Sequence, residues 1–254
     1  MKQATYSISQ VAKFLGVPAS TLRYWERQGL FRPDRNSDNS YREYTTNELI
    51  LAADVSFLRQ LGLSVEEVRR FGRSDVEEMD EMLASAQDSV SARIEELKRM
   101  EVRLEAQRRA CRTAAAWRDR PMEPSRPDFP ALLEADYARA DHWRLGMDDP
   151  RRYGVMVGKD GFLADGFALL PGDEDLAGAA EGMDVLWADD PEKTYWCGLL
   201  TVRMDGESSD AERLFEEVRR RGLEPECAVG RLLATVAQGE GERADQYLAW
   251  VECA

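Results

Sequence analysis

The sequence predicts an α+β protein built in three stretches, and three features carry that prediction. Helix-capping signatures recur around a charged, hairpin-like segment in roughly the first 74 residues. Apolar residues then return at every seventh position as far as Cys111, the mark of one very long helix. After a proline-rich break, β-branched and aromatic runs alternate with Gly/Asp turns, the mark of strands.

Ser7-Ile-Ser-Gln10 is a capping box that opens a helix over Ile8 to Leu15, with Val11, Phe14 and Leu15 as its apolar stripe. A second helix of about three turns follows. Pro18 suits its first turn, where the missing N–H would be unpaired, and Gly29 suits the residue past its end. Leu22, Trp25 and Leu30 give this helix an apolar side, while Thr21, Arg23, Tyr24 and Arg27 cluster toward another. A helix that enters a DNA groove needs a polar and aromatic face opposite a buried one. Helix, tight turn, helix is the helix-turn-helix pattern, and the charged stretch from Phe31 to Tyr44 reads as a hairpin after it. Thr45-Thr-Asn-Glu48 caps a further helix to about Leu61, expected to turn Leu49, Ala52, Ala53, Phe57 and Leu61 inward. Ser64-Val-Glu-Glu67 caps a shorter helix to about Phe71.

The run TLRYWERQGL, then FRPDR, then SYREY resembles the N-terminal signature of MerR-family transcription regulators, over roughly residues 5 to 71. The resemblance implies a winged helix-turn-helix in which the second helix reads the major groove and the hairpin lies on the phosphate backbone. Carried over by motif position, Arg23 and Tyr24 contact DNA from the helix, beside Thr21 and Arg27 on the same face. Tyr41 and Arg42 contact it from the wing, and Arg59 matches a position that can reach phosphate. Trp25 stands where a second tyrosine is more usual.

Val76, Leu83, Val90, Leu97, Leu104 and Cys111 are coiled-coil a positions; Met79, Ala86, Arg93, Met100 and Gln107 are the d positions, polar at two of them. Asp75 to Trp117 as one helix makes a rod on the order of 60 Å, longer than a small domain needs. Such a rod lies on its own C-terminal domain or pairs with a second copy. The MerR resemblance implies the second, an antiparallel dimerisation coiled coil. A homodimer of this kind binds a two-fold-related operator. It also implies the mechanism, in which the dimer kinks and untwists an overlong promoter spacer so that RNA polymerase engages both elements.

Arg120 to Pro130 carries four prolines and cannot continue the helix. Beyond this linker, Tyr153–Val157, Phe167–Leu170, Tyr195–Val202, Ala228–Ala237 and Gln246–Cys253 read as strands. One helix is strong: Ser209-Asp-Ala-Glu212 caps it, Leu214, Phe215 and Val218 form its inner stripe, and Gly222 stops it. Strand, helix, strand, strand over Thr194 to Glu252 resembles the second half of the gyrase-inhibitor-like (GyrI-like) effector-binding fold found in multidrug-sensing MerR regulators. That fold repeats the unit, and the first copy reads as degenerate: residues 131 to 192 show strands without a convincing crossover helix, Asp173 to Gly182 being the nearest to one. The resemblance implies a pocket for an aromatic or amphipathic small molecule. Its candidate residues are Trp143, Tyr153, Trp187, Tyr195, Trp196, Asp245 and Tyr247. The strand after the helix, CAVGRLLATVA, holds no acid and one charge, Arg231, which leaves a neutral or anionic ligand open as well.

The formal net charge is -14. Residues 1–72 carry 10 Lys/Arg against 8 Asp/Glu, residues 73–120 carry 10 against 11, and residues 121–254 carry 14 against 29. Phosphate contact is therefore expected from the N-terminal part alone. No apolar run has the length of a signal peptide core or a membrane span, so a cytoplasmic protein without membrane contact is expected. Cysteines 111, 197, 227 and 253 lack metal-ligand spacing and read as reduced structural thiols, with no metal and no cofactor. His142, in the polar run ADHW, reads as solvated, and no Ser/His/Asp or Cys/His set surrounds it. An enzyme is not expected, although a hydrolase or a protein-binding module is the alternative for the last stretch. The expected domains are residues 1–74 for DNA binding, 75–119 for the dimerisation helix, 120–130 for the linker and 131–254 for effector binding.

Overall fold

The computed structural model describes residues 4–35, 41–136, 138–170, 182–203, 208–238 and 242–254, with the side chains of Asp141 and Asp148 outside that description. The chain divides into two compact units, Met1–Lys98 and Arg99–Ala254.

In the first unit, β1 (Thr5–Ser7) leads into α1 (Ile8–Leu15) and α2 (Ala19–Arg27). The wing strands β2 (Asp34–Arg35) and β3 (Arg42–Thr45) follow, then α3 (Thr46–Gln60) and α4 (Val65–Phe71). All three predicted capping boxes form: Ser7 with Gln10, Thr45 with Glu48 and Ser64 with Glu67 each exchange side-chain and backbone bonds. The sequence reading missed β1. It pairs antiparallel with β3 through Thr5 and Thr45, giving the sheet order β1-β3-β2. Val11, Leu22, Trp25, Phe31, Tyr44, Ala52, Val55, Leu58, Leu63 and Val68 form the core. Three expected inward residues face away from it. Phe14 is 58% exposed with Tyr6 edge-on to its ring, Phe57 is 60% exposed and Leu61 is 40% exposed. On α3 the buried stripe instead runs through Ala52, Val55 and Leu58, a small rotation of the face that periodicity alone does not fix. Leu51, Phe57, Leu61, Phe71, Met79 and Leu83 line an open apolar groove of about 570 Å³.

Helix α5 spans Val76–Trp117. Met82, Leu83 and Ala86 pack on the first unit's core. Beyond them Val90, Leu97, Met100 and Leu104 are 42–66% exposed.

Among the described residues the second unit carries one eight-stranded sheet. Its elements are β4 (Glu123–Pro124), β5 (Ala131–Glu134), α6 (Ala140–Asp148), β6 (Tyr153–Gly158), β7 (Leu163–Ala168) and β8 (Val185–Ala188), then β9 (Thr194–Arg203), α7 (Ala211–Arg219), β10 (Pro225–Ala237) and β11 (Arg243–Cys253). The sheet order is β4-β9-β11-β10-β6-β7-β5-β8. Strand, helix, strand, strand therefore occurs twice, as β5-α6-β6-β7 and β9-α7-β10-β11, and the two copies meet where β10 pairs with β6. The first copy is complete, which corrects the degenerate reading. Its crossover helix is α6; Asp173 to Glu181 lies outside the described residues.

Helix α6 exists for a packing reason. Gly146 has no side chain, and the Tyr153 ring occupies the space where one would stand. His142 is not solvated: it is 2% exposed, its Nδ1 accepts the Asp136 N–H at 3.0 Å, and its ring meets Phe167 edge-on. The start of α7 also differs from expectation. Asp210 turns its carboxylate to the Thr201 N–H at 2.7 Å and to the Arg213 side chain rather than to a backbone N–H of the helix, while the stripe Leu214, Phe215, Val218 is buried as expected.

Two cores lie on the two sheet faces. One holds Val155, Leu200, Leu214, Phe215, Val218, Tyr247 and Val251 beneath α7. The other holds Phe129, Leu132, Trp187, Tyr195, Val229 and Trp250 against Ala110 and Ala114 of α5.

Candidate functional site

On the candidate DNA surface, Leu22 and Trp25 anchor α2 in the core. That leaves Arg23, Tyr24 and Arg27 exposed and Thr21 half-buried. Pro18 precedes the first turn rather than joining it, and its carbonyl accepts the Thr21 N–H at 2.9 Å. At the other end Gly29 takes φ 73°, its N–H bonds the Glu26 carbonyl at 2.9 Å, and the Leu30 N–H bonds the Trp25 carbonyl at 3.2 Å. That pair of bonds is a Schellman stop.

The wing is tied to this helix. Arg42 donates through Nε to Glu26 at 2.5 Å, and both side chains are largely covered. The bond raises the Arg42 pKa above its ordinary value, so the guanidinium is held charged in one pose. Glu26 on α2 thus neutralises the wing arginine. Tyr41 beside it is 74% exposed. Arg59 sits at the last turn of α3 and donates to the Leu63 carbonyl, which fixes the turn into α4.

The eight residues expected at an effector site divide between the sheet faces, because neighbours along a strand point to opposite sides. Tyr153, Trp196, Asp245 and Tyr247 belong to the face covered by α7. Trp187, Tyr195 and Arg231 belong to the other. Trp143 is 46% exposed on α6. Several already have partners. Burial pushes the Tyr195 phenol up to about 12, against the lowering effect of the hydrogen bonds it exchanges with the Asp190 backbone. Arg231 grips Asp128 with two donors at 2.5–3.0 Å, and the Arg221 guanidinium lies 4.5 Å over the Trp196 ring.

On the α7 face the structure adds an acid that the sequence reading did not single out, Asp165. It stands opposite Val155 on β7. Partial enclosure raises its pKa, and the negative charge of Asp245 raises it further although β10 and β6 lie between their strands. Asp165 has no cationic partner among the described residues; Asp245 accepts the Thr235 hydroxyl at 2.5 Å. On the neighbouring strand Gly230 lets β10 and β11 pack closely, since a Cβ there would stand 3.0 Å from the Tyr247 Cβ. Two carboxylates flanked by Tyr153 and Tyr247 can pair with a positive charge and stack on its ring system.

The opposite face buries an acid too. Glu252, 9% exposed, accepts the Trp187 indole N–H at 2.6 Å. Burial raises its pKa, whereas its neighbour Glu226 is held down by a bond from Lys193 at 2.7 Å. Glu226 went unnoticed because β10 starts at Pro225, two residues before the run CAVG; proline is tolerated as the first residue of a strand. Burial pushes the Cys197 and Cys227 thiols up to about 12 and Cys253 to about 11, so all three are protonated at neutral pH. Among the described residues no group of three or more His, Cys, Asp or Glu could hold a metal ion, and no helix is long and apolar enough to cross a membrane.

The family pattern described as MerR HTH family regulatory protein matches residues 6–75. The multidrug-efflux transporter 1 regulator of Bacillus subtilis (strain 168) is 35% identical over 80 residues, 31% of this chain and 29% of that protein. The match thus spans less than a third of that relative's length. The HTH-type transcriptional regulator HmrR of Rhizobium leguminosarum bv. viciae is 32% identical over 93 residues, 37% of this chain and 70% of HmrR. A crystal structure of HiNmlR, a MerR family regulator lacking the sensor domain and bound to promoter DNA, is 27% identical with a TM-score of 0.37, covering 44% of this chain and 90% of that one. Since the similarity to HmrR takes in more than two thirds of that regulator, and since residues 6–75 fold into the helices and wing just described, the chain belongs to the MerR family of helix-turn-helix, DNA-binding transcription regulators.

Proposed function

We propose that the protein is a homodimeric, effector-responsive regulator of a two-fold-related promoter operator. Residues 1–74 bind DNA, with α2 in the major groove through Arg23 and Tyr24 and the wing on phosphate through Tyr41 and Arg42. Residues 75–119 pair antiparallel with a second copy, residues 120–130 link that helix to the sheet while giving it the edge strand β4, and residues 131–254 are a GyrI-like effector-binding domain. Effector binding remodels the operator for RNA polymerase. The exposed seam Val90, Leu97 and Leu104 supports the pairing, as does the apolar groove that leaves Phe57 and Leu61 uncovered in one chain.

One arrangement carries the effector reading: Asp165 and Asp245 share the α7 face of the sheet with Tyr153 and Tyr247, and Asp165 has no cationic partner among the described residues. That chemistry favours a flat aromatic or amphipathic cation over the anionic ligand, because Arg231 lies on the other face and is engaged by Asp128. Tryptophan fluorescence of the full chain, titrated with an aromatic cation and a neutral compound of the same shape, tests it. Saturable quenching by the cation, lost in Asp165→Asn at unchanged melting temperature, is expected. If no compound of either charge shifts fluorescence or melting, the small-molecule reading fails.

A further inference from the structure

We infer that Arg69, on α4, is the brace that sets the pose of the DNA-reading helix, and so a positioning residue for sequence discrimination that does not itself touch DNA. The inference rests on the reading of Ala19–Arg27 as the groove-entering helix. A helix leaves its last carbonyls without intrahelical partners. In α2 the Schellman stop uses the carbonyls of Trp25 and Glu26, and the Gln28 N–H takes that of Tyr24 at 2.9 Å. The Gln28 carbonyl lies beyond them, at the negative end of the helix dipole. Arg69 fills that vacancy from a segment 41 residues away in sequence. Its Nη2 donates to the Gln28 carbonyl at 2.7 Å and its Nε at 3.3 Å, a two-donor grip on one oxygen, and Nη2 lies 3.4 Å from the Gln28 side-chain oxygen. Its remaining Nη1 donates to Glu66 one turn earlier on α4, which holds the guanidinium from behind. The side chain is 29% exposed, and its two bonds to the Gln28 carbonyl are partly buried.

A charged fork is suited to this task because it fixes direction as well as distance. Arg42 ties α2 to the wing through Glu26, and Arg69 ties the end of the same helix to α4. With both in place, α2 cannot roll about its axis without breaking a charge-assisted bond. Such a roll would turn Arg23 off its base edge while leaving the phosphate contacts of the wing largely as they were. Loss of Arg69 should therefore reduce discrimination rather than general DNA affinity.

The test uses the full chain and two duplexes: the tightest sequence that the wild-type protein selects from a random pool, and a scrambled duplex of equal length and composition. Arg69→Ala is expected to lose about tenfold on the selected duplex and less than twofold on the scrambled one, with the salt slope of binding and the melting temperature near wild type. Arg69→Lys, which keeps charge without the fork, should fall between. Unchanged affinity of Arg69→Ala for the selected duplex overturns the brace. So does an equal loss on both duplexes with a shallower salt slope, which would make Arg69 a phosphate contact. If Arg69→Ala does not fold, the same ratio is read from Arg69→Lys, and a wild-type ratio there overturns the proposal. Arg23→Ala runs alongside: a wild-type ratio in that variant means that α2 is not the reading helix, whereas a drop there with none in the Arg69 variants removes only the brace.

Discussion

The indole N–H of Trp187 donates to Oε2 of Glu252 at 2.6 Å, although four strands separate β8 from β11 in the sheet order. A flat sheet would hold these residues well beyond bonding distance, since each strand adds about 4.8 Å. The bond therefore requires the sheet to curl, so that its β8 edge returns over the face that carries Glu252. The bond also satisfies a buried carboxylate whose neighbour is a second acid, Glu226. Trp187→Phe should therefore cost about 1–3 kcal/mol, the penalty for leaving a buried acceptor without its donor. Chemical denaturation measures it, and an unchanged midpoint would show that water replaces the indole.

Glu252→Gln isolates the charge. Burial raises the Glu252 pKa above its ordinary 4.5, so the folded state holds this proton more tightly than the unfolded state does. Its contribution is fully favourable below pH 4.5 and is lost as pH rises through the raised folded value. The variant, which keeps an acceptor for Trp187, should match wild type near pH 4 and melt higher than wild type at pH 7. Identical melting curves at both pH values would place the carboxylate in water.

Arg23→Ala and Arg42→Ala should differ in kind. Loss of a base-reading arginine costs about 1–3 kcal/mol on the preferred sequence and blurs preference, whereas loss of a phosphate contact weakens all sequences and lowers the salt slope by about 1. For Arg42→Ala the weakening should exceed that of a single phosphate contact, because Glu26, 18% exposed, is then left unneutralised near the backbone. Equal effects of the two variants on specific and random DNA would remove the division between helix and wing.

Leu97, an a-position residue 49% exposed in the single chain, is the seam test. Leu97→Asp puts unpaired charge into a dry interface and should yield monomers. Light scattering that returns a dimer mass for the variant would end the coiled-coil argument.

Tyr44 offers a stabilising change. Its ring is fully buried against Phe31, and its hydroxyl has no hydrogen-bond partner among the described residues. Tyr44→Phe deletes an unsatisfied polar group at constant shape, so the melting temperature should hold or rise. A drop worth more than about 1 kcal/mol would reveal a partner for the hydroxyl.

Local signals carried the sequence reading where structure is local. Ser7, Thr45 and Ser64 each form the box their neighbours three residues on announce, and the seven-residue repeat gives α5 to within a residue of its observed start. What the sequence hid depends on distant partners. Helix α6 has no side-chain cap, carries Gly146 in its interior and runs into Pro150, so propensity argues against it; Tyr153 on the next strand makes the glycine useful. Phe57 and Leu61 have apolar periodicity and still face outward, since periodicity does not say which chain covers a stripe. The acids Asp165, Glu226 and Glu252 gain their unusual environments from sheet curvature and from where β10 begins, neither of which a linear pattern encodes.

The indole bond from β8 to β11 closes the far end of the sheet onto the face that carries Phe129, Tyr195 and Trp250, the same layer on which Ala110 and Ala114 of α5 rest. The last turns of the long helix therefore share one packed layer with strands of both repeats. Because such a layer is close-packed, a rearrangement in either repeat that repacks it must be felt at the end of α5.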